Sequence, residues 1–352
     1  MSEKIKLYSK AVKVWLAIGL IMVAVQIFLG GVTRLTGSGL SITKWDIVTG
    51  TIPPLTQAEW EDAFDLYKQT PQYHKINSGM TLPDFKFIFF WEYTHRLWGR
   101  IMGFVFLIPF IVFWRRKEID TPLMRRLVVV VLMAAVVASL GWIMVASGLI
   151  NRPWVNAYKL AIHLSAALIL FGYLLWTYYS VAIPNKRVIH NDVLKRWITI
   201  FMVIFFTQLF LGGMMSGMKA GIYFPTWPDM NGQFVPRVLL DSANWVSDNF
   251  VYYEQSPFMS GLVQFFHRLF AYLLIIIGLY VFFKGRNIKG TRFFTASLYL
   301  FVGMVNVQVL LGILTVMNSS GAIPLWLGVF HQLGAILLLT SFLLLKFQIR
   351  KT

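Results

Sequence analysis

The sequence predicts an all-α integral membrane protein with eight transmembrane helices, arranged as two parallel-repeat four-helix bundles. Three observations carry this. Of the 352 residues, 57% are hydrophobic and only 13% charged, about half the charged share of a soluble domain. The apolar residues gather into eight runs long enough to cross a bilayer. The two halves of the chain also resemble one another.

The eight runs cover residues 11–31, 87–114, 127–147, 158–180, 197–215, 261–283, 293–317 and 325–346. Backbone groups in hydrocarbon must be paired within their own segment, so runs of this length are helices; barrel strands are shorter and alternate. The net charge of +17 raises nucleic acid as a partner, but the positions of the charges argue against it. Lys4, Lys6, Lys10 and Lys13 form one cluster, and Arg115, Arg116, Lys117, Arg125 and Arg126 a second. Lys186, Arg187, Lys195 and Arg196 follow, then Lys284, Arg286, Lys289 and Arg292, then Lys346, Arg350 and Lys351. All fall on alternate connections, the positive-inside pattern, which puts both termini in the cytoplasm. The chain has no cysteine, which excludes disulfides, thiolate metal sites and iron–sulfur clusters within it. The short basic N-terminus leads into an apolar run without a small-residue cleavage site, so an uncleaved first span is expected.

Two connections on the outer side are long. Residues 32–86 contain Asp46, Glu59, Glu61, Asp62, Asp65 and Asp84, and residues 218–260 contain Pro225, Pro228, Gly232 and Pro236. Loops of this length carry function or structure of their own. Residues 57–69 read as a surface helix, with Thr56 and Glu59 as its capping box.

The internal repeat divides the chain into halves, residues 1–190 and 191–352. Leu29-Gly30-Gly31 answers Leu211-Gly212-Gly213, and Thr94-His95-Arg96-Leu97 answers Phe266-His267-Arg268-Leu269. His163 follows His95 by 68 residues, and His331 follows His267 by 64. Four spans per half place the halves in parallel. The four histidines lie early in spans that run from outside to inside, so at about 1.5 Å per residue all fall in the outer third of the bilayer.

Ionisable groups at such depth point to function. Satisfied core histidines, a proton relay and metal ligation are the readings open here. Imidazole suits iron, copper and zinc, and two axial histidines from facing helices of a bundle are a recurrent heme arrangement. Large apolar neighbours (Trp91, Trp98, Phe265, Phe266 and Phe330) suit a flat macrocycle, and Gly99, Gly103 and Ala166 leave room. Arg96 and Arg268 either bind heme propionates or snorkel to the headgroups; Arg34 and Arg152 are weaker candidates of the same kind. His74 and His190 fall in loops and read as surface residues. Glu92 lies three residues before His95, on the same helical face; its counterpart in the second half is Gln264. A carboxylate can accept a proton where an amide cannot. The first half therefore reads as reactive and the second as an electron carrier, against a plain Glu92–Arg96 pairing.

These residues are similar to the heme A synthase family over nearly the whole chain. The likeness lies in Gly30-Gly31-Val32-Thr33-Arg34-Leu35-Thr36, Ser38-Gly39-Leu40-Ser41, Pro53-Pro54-Leu55, the Glu-x-x-His-Arg of Glu92 to Arg96, Ser147-Gly148-Leu149, and the surroundings of His163, His267 and His331. The resemblance implies oxidation of the C8 methyl of heme O to a formyl group, with water as oxygen source, for cytochrome oxidase assembly. It implies Glu92, His95 and His163 as catalytic residues, with His95 and His163 flanking the substrate iron. It implies heme b as cofactor, its iron held by His267 and His331, with Arg268 and Arg96 also binding heme. The cysteine-free branch of proteobacteria and mitochondria is the nearest in pattern, and the uncleaved N-terminus favours a bacterial inner membrane. The partners implied are the heme O substrate, heme O synthase, a respiratory-chain electron acceptor, the lipid bilayer and a second copy of the chain, with no nucleic acid. From the residues alone, a di-heme b electron carrier linked to quinol and a repeat-built transporter stay open as alternatives.

Overall fold

A computed structural model describes residues 7–43, 49–148, 153–183 and 188–350. Eight of its helices are long and apolar enough to cross a membrane: α1 (Lys10–Leu35), α4 (Leu82–Arg115), α5 (Thr121–Gly148), α6 (Ala157–Ala182), α7 (Asp192–Met218), α10 (Phe258–Gly285), α11 (Arg292–Met317) and α12 (Leu325–Phe347). The chain is an all-α, multi-pass integral membrane protein. Four short helices lie in the long connections: α2 (Gln57–Lys68), α3 (Pro71–Lys75), α8 (Arg237–Leu240) and α9 (Ser247–Val251). Strands β1 (Ile189–His190) and β2 (Ile349–Arg350) pair in parallel.

Several spans begin earlier than hydropathy alone indicates, and polar caps are the cause. Asp84 accepts from the main-chain nitrogen and hydroxyl of Thr81, starting α4 five residues ahead of its apolar run. Asp120 accepts from the nitrogen of Leu123 and starts α5. Asn191 does the same for α7 through Leu194. Arg125, Arg126, Lys195 and Arg196 thus lie within the first two turns of helices rather than in connections. Apolar composition marks the part of a helix that meets lipid, whereas the helix runs on until its end groups find caps. The expected capping box of α2 is present: Thr56 Oγ1 accepts from Glu59 N, and the Glu59 carboxylate accepts from Thr56 N.

Packing sorts the spans into inner and outer. Half of the apolar window is buried in α1, α6 and α12, against 6% in α4 and α5. Within the first four spans, α4 packs on α1, α5 on α6, and α1 on α6. Within the last four, α10 packs on α7 and on α11, and α12 on α11 and on α7. The two sets meet along α6–α7, α1–α12 and α6–α12. Small residues allow the closest of these approaches. A Cβ at Gly213 would stand 2.7 Å from Cα of Ala161, and one at Gly217 2.6 Å from Cα of Ala157. A Gly-x-x-x-Gly edge on α7 therefore lies directly on an Ala-x-x-x-Ala edge of α6.

The two ends of the molecule differ. At one end Tyr8 donates to Asp120 and Ser9 to Glu118, each at 2.9 Å, and β1 pairs with β2 there. A cavity of about 650 Å³ at this end is lined by Arg126, Lys195, Lys346 and Arg350 among others. At the other end lie the long connections. Phe64 and Tyr67 of α2 pack on Phe85, Ile88 and Phe89 of α4. Leu239 and Tyr253 pack with Phe258 and Met259 at the start of α10.

Candidate functional site

Each of the four histidines stands on its own span: His95 on α4, His163 on α6, His267 on α10 and His331 on α12. All four are half-buried. Each imidazole lies against a glycine of the preceding long helix. A Cβ would come within 3.2 Å of His95 at Gly30, 2.9 Å of His163 at Gly141, 3.4 Å of His267 at Gly212 and 3.0 Å of His331 at Gly312. Only a residue without a side chain lets the ring lie that close to the neighbouring backbone.

One turn before three of these glycines stands a glutamine. Gln26 Nε2 donates to the His95 carbonyl (3.2 Å), Gln208 Nε2 to the His267 carbonyl (2.9 Å) and Gln308 Nε2 to the His331 carbonyl (3.0 Å). The fourth position is Val137, whose own carbonyl lies 3.0 Å from Nδ1 of His163. These glutamines went unread in the sequence. Their signal is present, because Gln-x-x-Leu-Gly occurs at 26–30, 208–212 and 308–312.

In the last four spans the rings of His267 and His331 have centroids 6.4 Å apart. Two imidazoles sharing one metal through bonds of ~2 Å would have ring centres about 6.3 Å apart. Among the described residues no three His, Cys, Asp or Glu side chains gather into a protein-only metal site. A heme brings its own equatorial nitrogens and asks the protein for axial ligands alone, so this donor set fits a heme.

Glu92 is 2% exposed. Its Oε2 accepts from the nitrogen and the hydroxyl of Ser41, both at 2.7 Å, and from the nitrogen of Ile42 at 2.9 Å. Its Oε1 meets Arg96 at 2.5 Å. Arg96 also donates to the Ile42 carbonyl at 3.3 Å. The counterparts repeat the arrangement with the polarity reversed. Ile42 lies twelve residues after Gly30, and Phe224 twelve after Gly212. Gln264 Nε2 donates to the Phe224 carbonyl at 2.8 Å. Arg268 donates to the carbonyls of Phe224 (3.0 Å), Thr226 (2.8 Å) and Asp229 (2.6 Å). The first outer loop thus turns N–H groups toward a carboxylate, and the second turns the Phe224 carbonyl toward an amide. Sequence alone carries the Glu92/Gln264 difference, but only the fold shows that the loops are built to match it.

Both Arg96 and Arg268 are anchored to loop backbone and hold the loops over the histidines. Arg34 instead reaches across to α7 and donates to the carbonyls of Ser216 (2.6 Å) and Gly217 (3.1 Å) in the last turn of that helix. It stitches α1 to α7. Arg152 lies outside the described residues, as do Asp46, Lys186, Arg187 and Leu149. His74 and His190 are exposed as expected, but they lie on α3 and β1 and not in loops.

The sequence profile of the cytochrome oxidase assembly protein family (COX15-CtaA) matches residues 13–343. The chain belongs to the heme A synthase family. It is 38% identical to the heme A synthase of Flavobacterium johnsoniae over 342 residues, covering 95% of this chain and 96% of that one. It is 36% identical to the heme A synthase of Nitrosospira multiformis, covering 97% and 94%. With that of a Bradyrhizobium strain it shares 39% identity over 94% and 89% of the two chains.

Proposed function

We propose that this chain is a heme A synthase, an oxidoreductase that converts the C8 methyl of heme O to a formyl group for cytochrome oxidase assembly. The observation that carries the reading is the pairing of like and unlike in the two halves. Both place two histidines against glycines, but only the first adds a buried carboxylate with a loop built to hold it. The first four spans then form the substrate half and the last four the cofactor half, two parallel repeats with a boundary near residue 190.

In the substrate half, His95 and His163 flank the iron of heme O and fix where the methyl lies. Going from methyl to formyl with water as oxygen source takes one water and releases four protons and four electrons. Glu92 is placed to take protons: among the described residues Oε1 has Arg96 as its one donor and keeps a lone pair to offer, while Ser41 and Ile42 hold Oε2 in place. Arg96 keeps the carboxylate oriented and supplies positive charge beside it. In the cofactor half, His267 and His331 would hold heme b, whose iron supplies one-electron redox chemistry. Gln264, a neutral isostere of Glu92, offers no proton acceptor there, which suits a centre that only passes electrons on.

The arrangement in the membrane follows from charge. The end where Tyr8, β1 and β2 meet also gathers Arg126, Lys195, Lys346 and Arg350, so it is the cytoplasmic end and both termini lie there. The long loops and the histidines then face the outer side of a bacterial inner membrane. Heme O synthase as donor and a respiratory-chain electron acceptor complete the partners.

Co-expression with a heme O synthase, followed by heme extraction and mass analysis, tests this. Heme A is expected with the wild type. With Glu92→Gln, heme A is expected to disappear while the second-half heme stays bound. Heme A from Glu92→Gln at the wild-type level would remove Glu92 from the chemistry, and none from the wild type would remove the reading.

A further inference from the structure

The cavity at the basic end gathers cations from both halves of the chain. It holds about 650 Å³ and is lined by Arg126 of α5, Lys195 of α7, Lys346 of α12 and Arg350 of β2. None of its lining residues is acidic; Asp120 and Asp192 stand at the starts of α5 and α7 but line no part of it. Among the described residues Arg126 donates to the Ser180 hydroxyl (3.0 Å) and Lys346 to the Thr199 hydroxyl (2.7 Å). None of the four cations meets a carboxylate there.

The positive-inside pattern accounts for the sign of these groups but not for their direction. Arg125 and Arg196 are the chain neighbours of Arg126 and Lys195. Both are exposed, whereas Arg126, Lys195 and Lys346 are half-buried and share one cavity. A cation that only marks orientation is free to snorkel outward. Like charges gathered around a half-buried cavity repel, and each is partly stripped of water, so the arrangement is costly until an anion enters.

The level and shape of the cavity select the anion. With 28 and 27 residues, α5 and α7 run about 40 Å, longer than the ~30 Å hydrocarbon core. Their ends therefore stand at headgroup level, where lipid phosphates lie. Trp176, Ile198 and Phe347 also line the cavity and give it an apolar flank suited to glycerol and the first acyl carbons. Its volume lies in the range of pockets that take whole organic molecules, about 300–1,000 Å³.

We propose that this cavity binds the phosphate of an anionic phospholipid, with Arg126, Lys195, Lys346 and Arg350 as its cationic partners. Basic pockets between transmembrane helices are a recurrent way of holding such headgroups. The walls come from α5 and α6 of the first half and α7 and α12 of the second, so the bound lipid ties the halves together beside the β1–β2 pair. The site lies at the end away from the long loops and does not rest on the heme reading.

The experiment is native mass spectrometry of the purified full-length protein, stripped of lipid by detergent exchange and titrated with phosphatidylglycerol. One tightly bound lipid is expected for the wild type. Each basic residue near a headgroup counts for a several-fold gain, so Arg126→Gln/Lys195→Gln is expected to weaken binding roughly tenfold or more. Arg125→Gln/Arg196→Gln removes the same charge from the same two helices outside the cavity and should bind like the wild type. Phosphatidylcholine, whose phosphate is cancelled by its own cation, should bind far more weakly, and equimolar inorganic phosphate should not displace the lipid. Wild-type affinity in the cavity variant would overturn the proposal, as would an equal loss in the exposed pair, which would reduce the effect to general surface charge. Equally tight phosphatidylcholine, or displacement by inorganic phosphate, would likewise exclude an anionic-lipid site. If the cavity double variant fails to accumulate, Lys195→Gln alone decides, with a several-fold loss expected and wild-type affinity overturning the assignment.

Discussion

At the scale of residues, the two outer loops are polarity-matched to the side chains they cover. Glu92 receives three donors from Ser41 and Ile42, and Gln264 gives one to Phe224. A Glu92→Gln change therefore removes a charge and also leaves N–H groups facing an amide that can satisfy only part of them. The second loop carries its own lock. Asp229 accepts from Gly232 N (3.0 Å) and Thr226 Oγ1 (2.7 Å), closing the turn whose carbonyls hold Arg268. The Gly232 amide first, then the Thr226 hydroxyl and nearby Arg268, hold this carboxyl below the usual carboxylate range. A depressed pKa stabilises the fold above the unfolded value, and that contribution is lost as pH falls through the lower folded value. Protection of amides 224–232 should thus persist from neutral pH through the ordinary carboxylate range and fail only below it. Asp229→Asn should lose that protection already at neutral pH. Hydrogen exchange read by mass spectrometry, normalised to intrinsic rates, compares the two; equal protection in both proteins would exclude the lock.

At the scale of elements, the contact of α6 with α7 depends on the absence of side chains. With a Cβ at Gly217 standing 2.6 Å from both Cα and Cβ of Ala157, Gly217→Val must push the helices apart. Overpacking of this kind costs about 1–3 kcal/mol. The variant should melt several degrees below wild type in detergent, whereas Gly103→Ala, at a position with nothing within 4 Å, should not. Thermal unfolding followed by circular dichroism gives the comparison. The helix ends teach a related lesson. Thr81-x-x-Asp84 and Asn191 were readable as start signals, yet hydropathy placed the starts of α4 and α7 inside the apolar run. Cap chemistry and apolar length report different things, and in a membrane helix both are needed.

At the scale of the molecule, the two ends carry opposite expectations for accessibility. The end with the Tyr8–Asp120 bond and the β1–β2 pair is the basic one. A fluorescent reporter fused after residue 352 should be active in the cytoplasm, and alkaline phosphatase inserted in α2 should be active outside. The reverse pair of activities would invert the assigned orientation. The inner position of α1, α6 and α12 leaves α4, α5 and α11 mostly facing outward.

The sequence by itself determined the spans, the four histidines and the one unequal pair, Glu92 and Gln264. These are properties of residue type and spacing along one chain: apolar length sets a crossing, and an ionisable group within it is conspicuous. Tertiary structure alone decided the 6.4 Å facing of His267 and His331, the glycine behind each imidazole, and the glutamines tied to histidine carbonyls. It also turned Arg34 away from the site and onto the end of α7. Each of these depends on what a neighbouring helix presents at close range. A repeated Gln-x-x-Leu-Gly acquires meaning only when packing brings it against a histidine tens of residues away.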